Sequence, residues 1–107
     1  MQVLIVERSV EVINRLEEIL SEAGRGWIIR KASSFEEATF IIRKNIPDVI
    51  LLDISLPGNG SFSLMEDIKK AGLQTTTIIL SIHDDQFLIN QFKALGAEFY
   101  VDEYSDF

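Results

Sequence analysis

The run Val49-Ile50-Leu51-Leu52, closed by Asp53 and followed by Pro57-Gly58, constrains the fold more than any other stretch of this chain. Its four residues are β-branched or aliphatic without a break. A strand with one wet face alternates polar and apolar residues. An unbroken run instead reads as a strand buried on both faces, as in a parallel sheet. Asp53 ends the run, and Pro57-Gly58 turns the chain. A carboxylate is costly to bury in a core. At the carboxyl end of a parallel strand, however, it lies at a crevice where α/β sheets bind ligands. Taken alone, Asp53 is equally well a residue that merely starts a loop.

The remaining segments decide between these readings. Val3 to Val6 is a second continuous apolar run, followed directly by Glu7 and Arg8. Ser9 can cap a helix, and Val12, Leu16, Ile19 and Ala23 recur behind it at helical spacing, backed by Ile13 and Leu20. Gly24 and Gly26 end that helix. Trp27 to Ala32 reads as strand two, and its Arg30 and Lys31 suggest an outer place in the sheet. Ser34-Phe35-Glu36-Glu37 is a capping box in which Ser34 serves the backbone N–H of Glu37 and Glu37 reaches back. Phe35, Ala38, Ile41 and Ile42 face inward, and Asn45 with a left-handed cap precedes Pro47. Asp48 to Asp53 is strand three. Phe62, Met65 and Ile68 mark a third helix closed by Gly72. Thr76 to Ile82 is strand four. Asp84 or Asp85 caps a fourth helix with Phe87 or Leu88, Phe92 and Leu95 inward, and Gly96 closes it. Glu98 to Asp102 is strand five.

Strict alternation of strand and helix means right-handed crossovers and a parallel sheet covered on both faces. Five strands in so short a chain point to the flavodoxin-like doubly wound α/β order 2-1-3-4-5. Strands one and three are then neighbours, so Glu7, Arg8 and Asp53 converge at the switch point. That convergence lifts Asp53 above the loop-start reading.

Composition sets the bounds. The chain has 107 residues, 47% hydrophobic and 25% charged, which suits one domain over residues 1–107 with a single core. A net charge of −7 disfavours direct contact with nucleic acid or anionic membrane. With no cysteine, thiolate chemistry is excluded, and the single histidine, His83, leaves little for a histidine-based metal site. No run has the length of a membrane span, and Val3 to Val6 is too short for a signal peptide. The expectation is a soluble cytoplasmic protein.

At this point the chain resembles the receiver domain of bacterial response regulators, over essentially its whole length. The resemblance rests on Val3-Leu4-Ile5-Val6-Glu7, on Pro47 to Gly58, on Ile78-Ile79-Leu80-Ser81, and on Ala94-Leu95-Gly96-Ala97-Glu98-Phe99-Tyr100-Val101, in order and at the right spacing. It implies that Asp53 accepts a phosphoryl group from a sensor histidine kinase. It further implies a magnesium site from two acids after strand one, Asp53 and the backbone carbonyl of Ser55. Ser81 matches the hydroxyl that contacts the phosphoryl oxygen, and Tyr100 the aromatic switch. Such domains carry a fifth helix after strand five, of which Tyr104-Ser105-Asp106-Phe107 supplies at most a start.

The chain departs from that pattern. Glu7 fits the first acidic position, but Arg8 stands at the second. Glu103 stands where a lysine belongs, and Ile82 is bulky where the family keeps a small residue. One carboxylate fewer and one guanidinium more remove two negative charges from the site. Arg8 is expected to pair with Asp53 or Glu7 by charge-assisted bonds, a tethered cation where a free one would bind. Magnesium occupancy is thus in doubt. Bland readings stand beside these: Arg8 a solvent-facing arginine beginning a helix, Glu103 a surface acid, His83 a loop residue, Ser81 a strand-end hydroxyl, Tyr100 fixed core packing.

The favoured expectation is a non-enzymatic signalling module acting by protein contact. In one version Asp53 is phosphorylated slowly with Glu7 and Asp53 as the only side-chain metal ligands. In the other, preferred on sequence, Arg8 locks a pseudo-receiver. Expected partners are a histidine kinase or other signalling protein, with a homodimer through the first-helix face. The alternative is a small flavodoxin-like cofactor-binding or enzyme domain, although no phosphate-cradling glycine motif is present.

Overall fold

Each apolar run becomes a strand and each capped amphipathic stretch a helix. The computed structural model describes residues 1–81 and 86–102. Chain order gives β1 (Gln2–Val6), α1 (Val10–Ala23), β2 (Ile28–Ala32), α2 (Phe35–Lys44) and β3 (Val49–Asp53). A 3₁₀ turn (Pro57–Asn59), α3 (Gly60–Ala71), β4 (Thr76–Ser81), α4 (Gln86–Ala94) and β5 (Phe99–Asp102) follow. All paired strands are parallel, in the order β2-β1-β3-β4-β5. This is the flavodoxin-like doubly wound sheet. The expected cap at Asp84 or Asp85, together with Ile82, His83 and residues 103–107, lies outside the described residues.

The edge position of β2 explains its charges. Arg30 donates from Nη1 to Gln2 Oε1 at 2.6 Å, and Lys31 pairs with Glu17 at 3.0 Å. Helix starts follow the capping rules. The backbone N–H of Val12 donates to Ser9 Oγ at 3.3 Å, and that of Glu37 to Ser34 Oγ at 3.1 Å. The return arm of the capping box is displaced by one residue: Glu37 Oε1 accepts from the backbone N–H of Ser33 and from its hydroxyl, not from Ser34. Asn45 is not left-handed. It is extended (φ −146°, ψ 111°), and its backbone N–H still caps the helix by donating to the Ile41 carbonyl at 2.9 Å.

Alternating strand residues feed two cores. Leu4, Val6, Ile50, Leu52 and Ile79 join residues of α2, α3 and α4 in one. Phe92 meets Phe62 edge-on there, with ring centroids 5.8 Å apart. Val3, Ile5, Leu51 and Leu80 join Ile13 and Leu16 of α1 in the other. The two are unequal: sixteen described buried residues against six. The smaller leaves Val12, Leu20, Ile78 and Val101 only partly buried.

One helix face differs from the sequence reading, and in another the structure chooses between the two residues that reading left open. Helix α1 buries Ile13 and Leu16, while Ile19 is 44% exposed and Ala23 is exposed. The inner stripe is Ile13-Leu16-Leu20, and Ile19 and Ala23 lie on its flank, where no other described helix packs. In α4, Leu88 packs on the core and Ile89 is buried, but Phe87 is 74% exposed.

Gly24, the residue after α1, lies against the ring of Trp27, so a Cβ there would overlap the indole. Gly24→Ala is expected to lower stability by about 1–3 kcal/mol, the usual cost of overpacking. That corresponds to a melting shift of several degrees in a domain this size. Trp27→Ala should relieve most of the penalty, so calorimetry of both single variants and the double variant checks the coupling.

Candidate functional site

Register sets the site. Val6 pairs with Leu52 and Asp53 with Leu80, so the next rung puts Glu7 beside Asp53, and Ser81 follows Leu80 on β4. Adjacent strands are about 4.8 Å apart, and three polar side chains thus share one edge of the sheet. Glu7, Asp53 and Ser81 are only 3%, 5% and 5% exposed. At that burial each needs a partner for its polar atoms.

Local structure supplies several. Asp53 Oδ1 accepts from the backbone N–H of Ser55 at 2.9 Å and from its hydroxyl at 2.6 Å. Oδ2 accepts no hydrogen bond among the described residues. Glu7 Oε1 accepts from the backbone N–H of Ser9 at 3.1 Å, so the cap of α1 also steadies this carboxylate. The backbone N–H of Glu7 donates to the Ala32 carbonyl at 3.0 Å, fixing the residue to β2.

Sequence reasoning missed Ser61. It is 1% exposed, and its hydroxyl donates to the Asp53 carbonyl while accepting from the Leu56 N–H at 3.3 Å. This one side chain pins both ends of the β3–α3 loop. The only available signal was a serine at a helix start, which is too common to single out. Within the loop Gly58 and Asn59 take consecutive positive φ values of 64° and 58°, the conformation that favours glycine and asparagine.

Arg8 is a correction. It is exposed and forms no ion pair with Asp53 or Glu7; among the described residues the one ion pair is Lys31–Glu17. Successive side chains of extended backbone project oppositely, so turning Glu7 inward turns Arg8 outward. There its guanidinium keeps its hydration, which burial would cost it. Arg8 lines a neighbouring cavity of about 510 Å³ with Ser33, Ser34, Phe35, Leu56 and Gly58. Tyr100 lies on β5 beside Ile79. It is half-buried against the larger core, with its hydroxyl inside. Glu103 lies outside the described residues.

The donor set suits a hard cation. Glu7 and Asp53 offer carboxylate oxygens, and any loop residue, Ser55 included, offers a carbonyl. Two ionised carboxylates on neighbouring strands repel each other in a poorly hydrated site, and a divalent ion offsets both charges. No group of three or more His, Cys, Asp or Glu side chains gathers as a cage among the described residues. Magnesium does not need one, because it keeps several waters and takes one or two carboxylates.

A model of the response regulator receiver domain matches residues 3–103. The chain is 26% identical over 101 residues to the transcriptional regulatory protein DltR of Streptococcus agalactiae, covering 94% of this chain and 44% of that protein. It is 26% identical over 111 residues to sporulation initiation phosphotransferase F of Bacillus subtilis, covering 98% of this chain and 88% of the relative. The chain thus spans less than half of DltR but most of the shorter relative. Among solved structures, the signal receiver domain of a DNA-binding response regulator from Colwellia psychrerythraea 34H superposes with a TM-score of 0.85 at 26% identity. That match covers 97% of this chain and 86% of the other. With five parallel strands in the matching order and the family's pattern across residues 3–103, the chain belongs to the response regulator receiver domains of two-component signalling.

Proposed function

We propose that Asp53 is the phospho-acceptor of a receiver with a weakened magnesium site, rather than part of a pseudo-receiver locked by Arg8. The observation that carries this reading is the pair of buried carboxylates, Glu7 and Asp53, at the ends of adjacent strands, with Asp53 Oδ2 accepting no hydrogen bond among the described residues. An Arg8 lock needs a guanidinium on that pair, and Arg8 faces away.

In the proposed step an Asp53 carboxylate oxygen attacks phosphorus of a phosphohistidine. The P–N bond breaks, its electron pair stays with the imidazole, and an acyl phosphate remains on Asp53. Glu7, Asp53 and the Ser55 carbonyl would hold magnesium, which supplies compensation for the charge gathering on the phosphoryl oxygens. Ser81 would donate its hydroxyl to one of those oxygens. Tyr100 would report the event by repacking from its inward position. Receiver domains interact with histidine kinases and other signalling proteins, and a kinase of that class is the proposed donor. We further propose that the thinly covered α1 face, with Val10 68% and Ile19 44% exposed, pairs with a second copy. Sedimentation at micromolar concentration checks this, and a strict monomer would count against it.

Two experiments test the acceptor. With magnesium and acetyl phosphate, intact mass should show slow phosphorylation of the protein and none of Asp53→Asn. Arg8→Asp combined with Glu103→Lys restores an acid and a cation, and should react about tenfold faster or more, the scale of one well-placed electrostatic group. A parent protein that stays unmodified at saturating donor, while the double variant reacts, would return the assignment to a pseudo-receiver.

Ser55 provides the second test. Its hydroxyl bond to Asp53 Oδ1 is charge-assisted, a class worth about 1.5–3 kcal/mol, and it competes with any metal for that oxygen. Ser55→Ala is therefore expected to tighten magnesium in isothermal titration. Unchanged affinity would show that Oδ1 is not a metal ligand.

A further inference from the structure

Between α2 and α3 lies a groove of about 500 Å³ that phosphoryl acceptance does not use. Ile42, Leu64, Ile68 and Leu73 make its walls apolar, while Arg43 and Lys70 stand on its rim with Asp67.

The charges are concentrated by the fold. Both helices run antiparallel to the strands, so their last turns meet at the sheet edge opposite Asp53. Those turns hold Arg43 and Lys44 of α2 and Lys69 and Lys70 of α3, four of the ten Lys and Arg in a protein of net charge −7. Lys44 sits over the Phe40 ring at 4.4 Å, and Lys69 donates to the Ala94 carbonyl at 3.3 Å. Arg43 and Lys70 form no ion pair among the described residues, even with Asp67 beside them. A cation in a last turn complements the helix dipole. That accounts for one charge at each helix end, but not for the apolar trough between them. In the same wall the buried Thr39 hydroxyl has no hydrogen-bond partner among the described residues, a condition that native structures rarely leave unexplained.

We propose that this groove docks an acidic peptide segment of a partner protein, with an apolar side chain entering the trough and flanking carboxylates meeting Arg43 and Lys70. Charge complementarity selects this occupant. A second copy docked groove to groove would set Arg43 and Lys70 against their own counterparts, and a nucleic-acid backbone would find few cations and gain nothing from the apolar walls. Docking here leaves the Asp53 edge open, so a partner held at this site and a kinase at the other do not exclude each other.

The probe is a fluorescein-labelled synthetic peptide in which Leu recurs at helical spacing among Glu residues, followed by anisotropy against the whole chain. Saturable binding is expected, weakening as salt screens the rim charges. Arg43→Glu with Lys70→Glu should weaken it about tenfold, since like charges then face each other; losing two last-turn cations should lower the melting temperature by a few degrees, with the protein still folded at the assay temperature and Asp53 phosphorylation unchanged. The same peptide with every Leu replaced by Ser should bind at least about tenfold more weakly, because the apolar contribution is lost. Absence of saturable binding, or binding indifferent to the double charge reversal, would overturn the proposal. So would equal binding of the Ser peptide or full competition by duplex DNA, either of which would mark a plain polyanion surface.

Discussion

Two carboxylates buried next to each other impose the main constraint on this molecule. Glu7 and Asp53 are adjacent only because β1 and β3 are parallel neighbours, and they are buried only because loops close over the strand ends. Like charges in a poorly hydrated site repel strongly. The fold tolerates them through fixed donors: the Ser9 N–H on Glu7, and the Ser55 N–H and hydroxyl on Asp53. All of these donors come from the turn directly following the same strand. The repulsion that remains is what a bound cation would relieve in the proposed function, and a phosphoryl group would arrive with it.

The sheet was legible in the sequence because its signals are redundant. Val3 to Val6 and Val49 to Leu52 have no polar residue to compete with a doubly buried strand, and alternation with helices leaves few topologies. Asp53 and Glu7 were legible for the same reason, being the first polar residues beyond such runs. What escaped was governed by rotation and rotamer. Ile19 and Ile13 share a helix and a hydrophobicity, and only packing decides which turns inward. The Arg8 reading failed because charge complementarity ranks possible partners without knowing direction. Backbone alternation had already committed the inward position to Glu7, and a long guanidinium has water as an alternative. Ser61 escaped because its partners, the Asp53 carbonyl and the Leu56 N–H, are main-chain groups that no side-chain pattern announces.

The β3–α3 loop links the site to the helices. Asp53 is tied to Ser55 by its side chain and to Ser61 by its carbonyl, while Gly58 and Asn59 hold left-handed backbone between those anchors. A loop fixed at both ends, with its conformational freedom confined to two central residues, can move only in a few ways. Were Asp53 phosphorylated at Oδ2, Oδ1 would become a neutral carbonyl oxygen and its bonds from Ser55 would lose their charge assistance, which would weaken the first anchor. The same loop contributes Leu56 and Gly58 to the cavity lined by Arg8. Asp53 and the cavity that Arg8 lines are thus joined through one short piece of backbone.

That junction recasts the Arg8 substitution. An arginine in place of an acid removes a metal ligand, and had it folded inward it would also have supplied a competing cation. Facing outward on the wall of a neighbouring cavity, it subtracts the ligand without blocking the site. In the proposed magnesium site the loss would then be one carboxylate, not the full two units of charge, because a solvated guanidinium is screened by water and salt. Under the proposed function, an outward Arg8 would stand within reach of anionic groups that approach the loops above Asp53, an arriving phosphoryl group included.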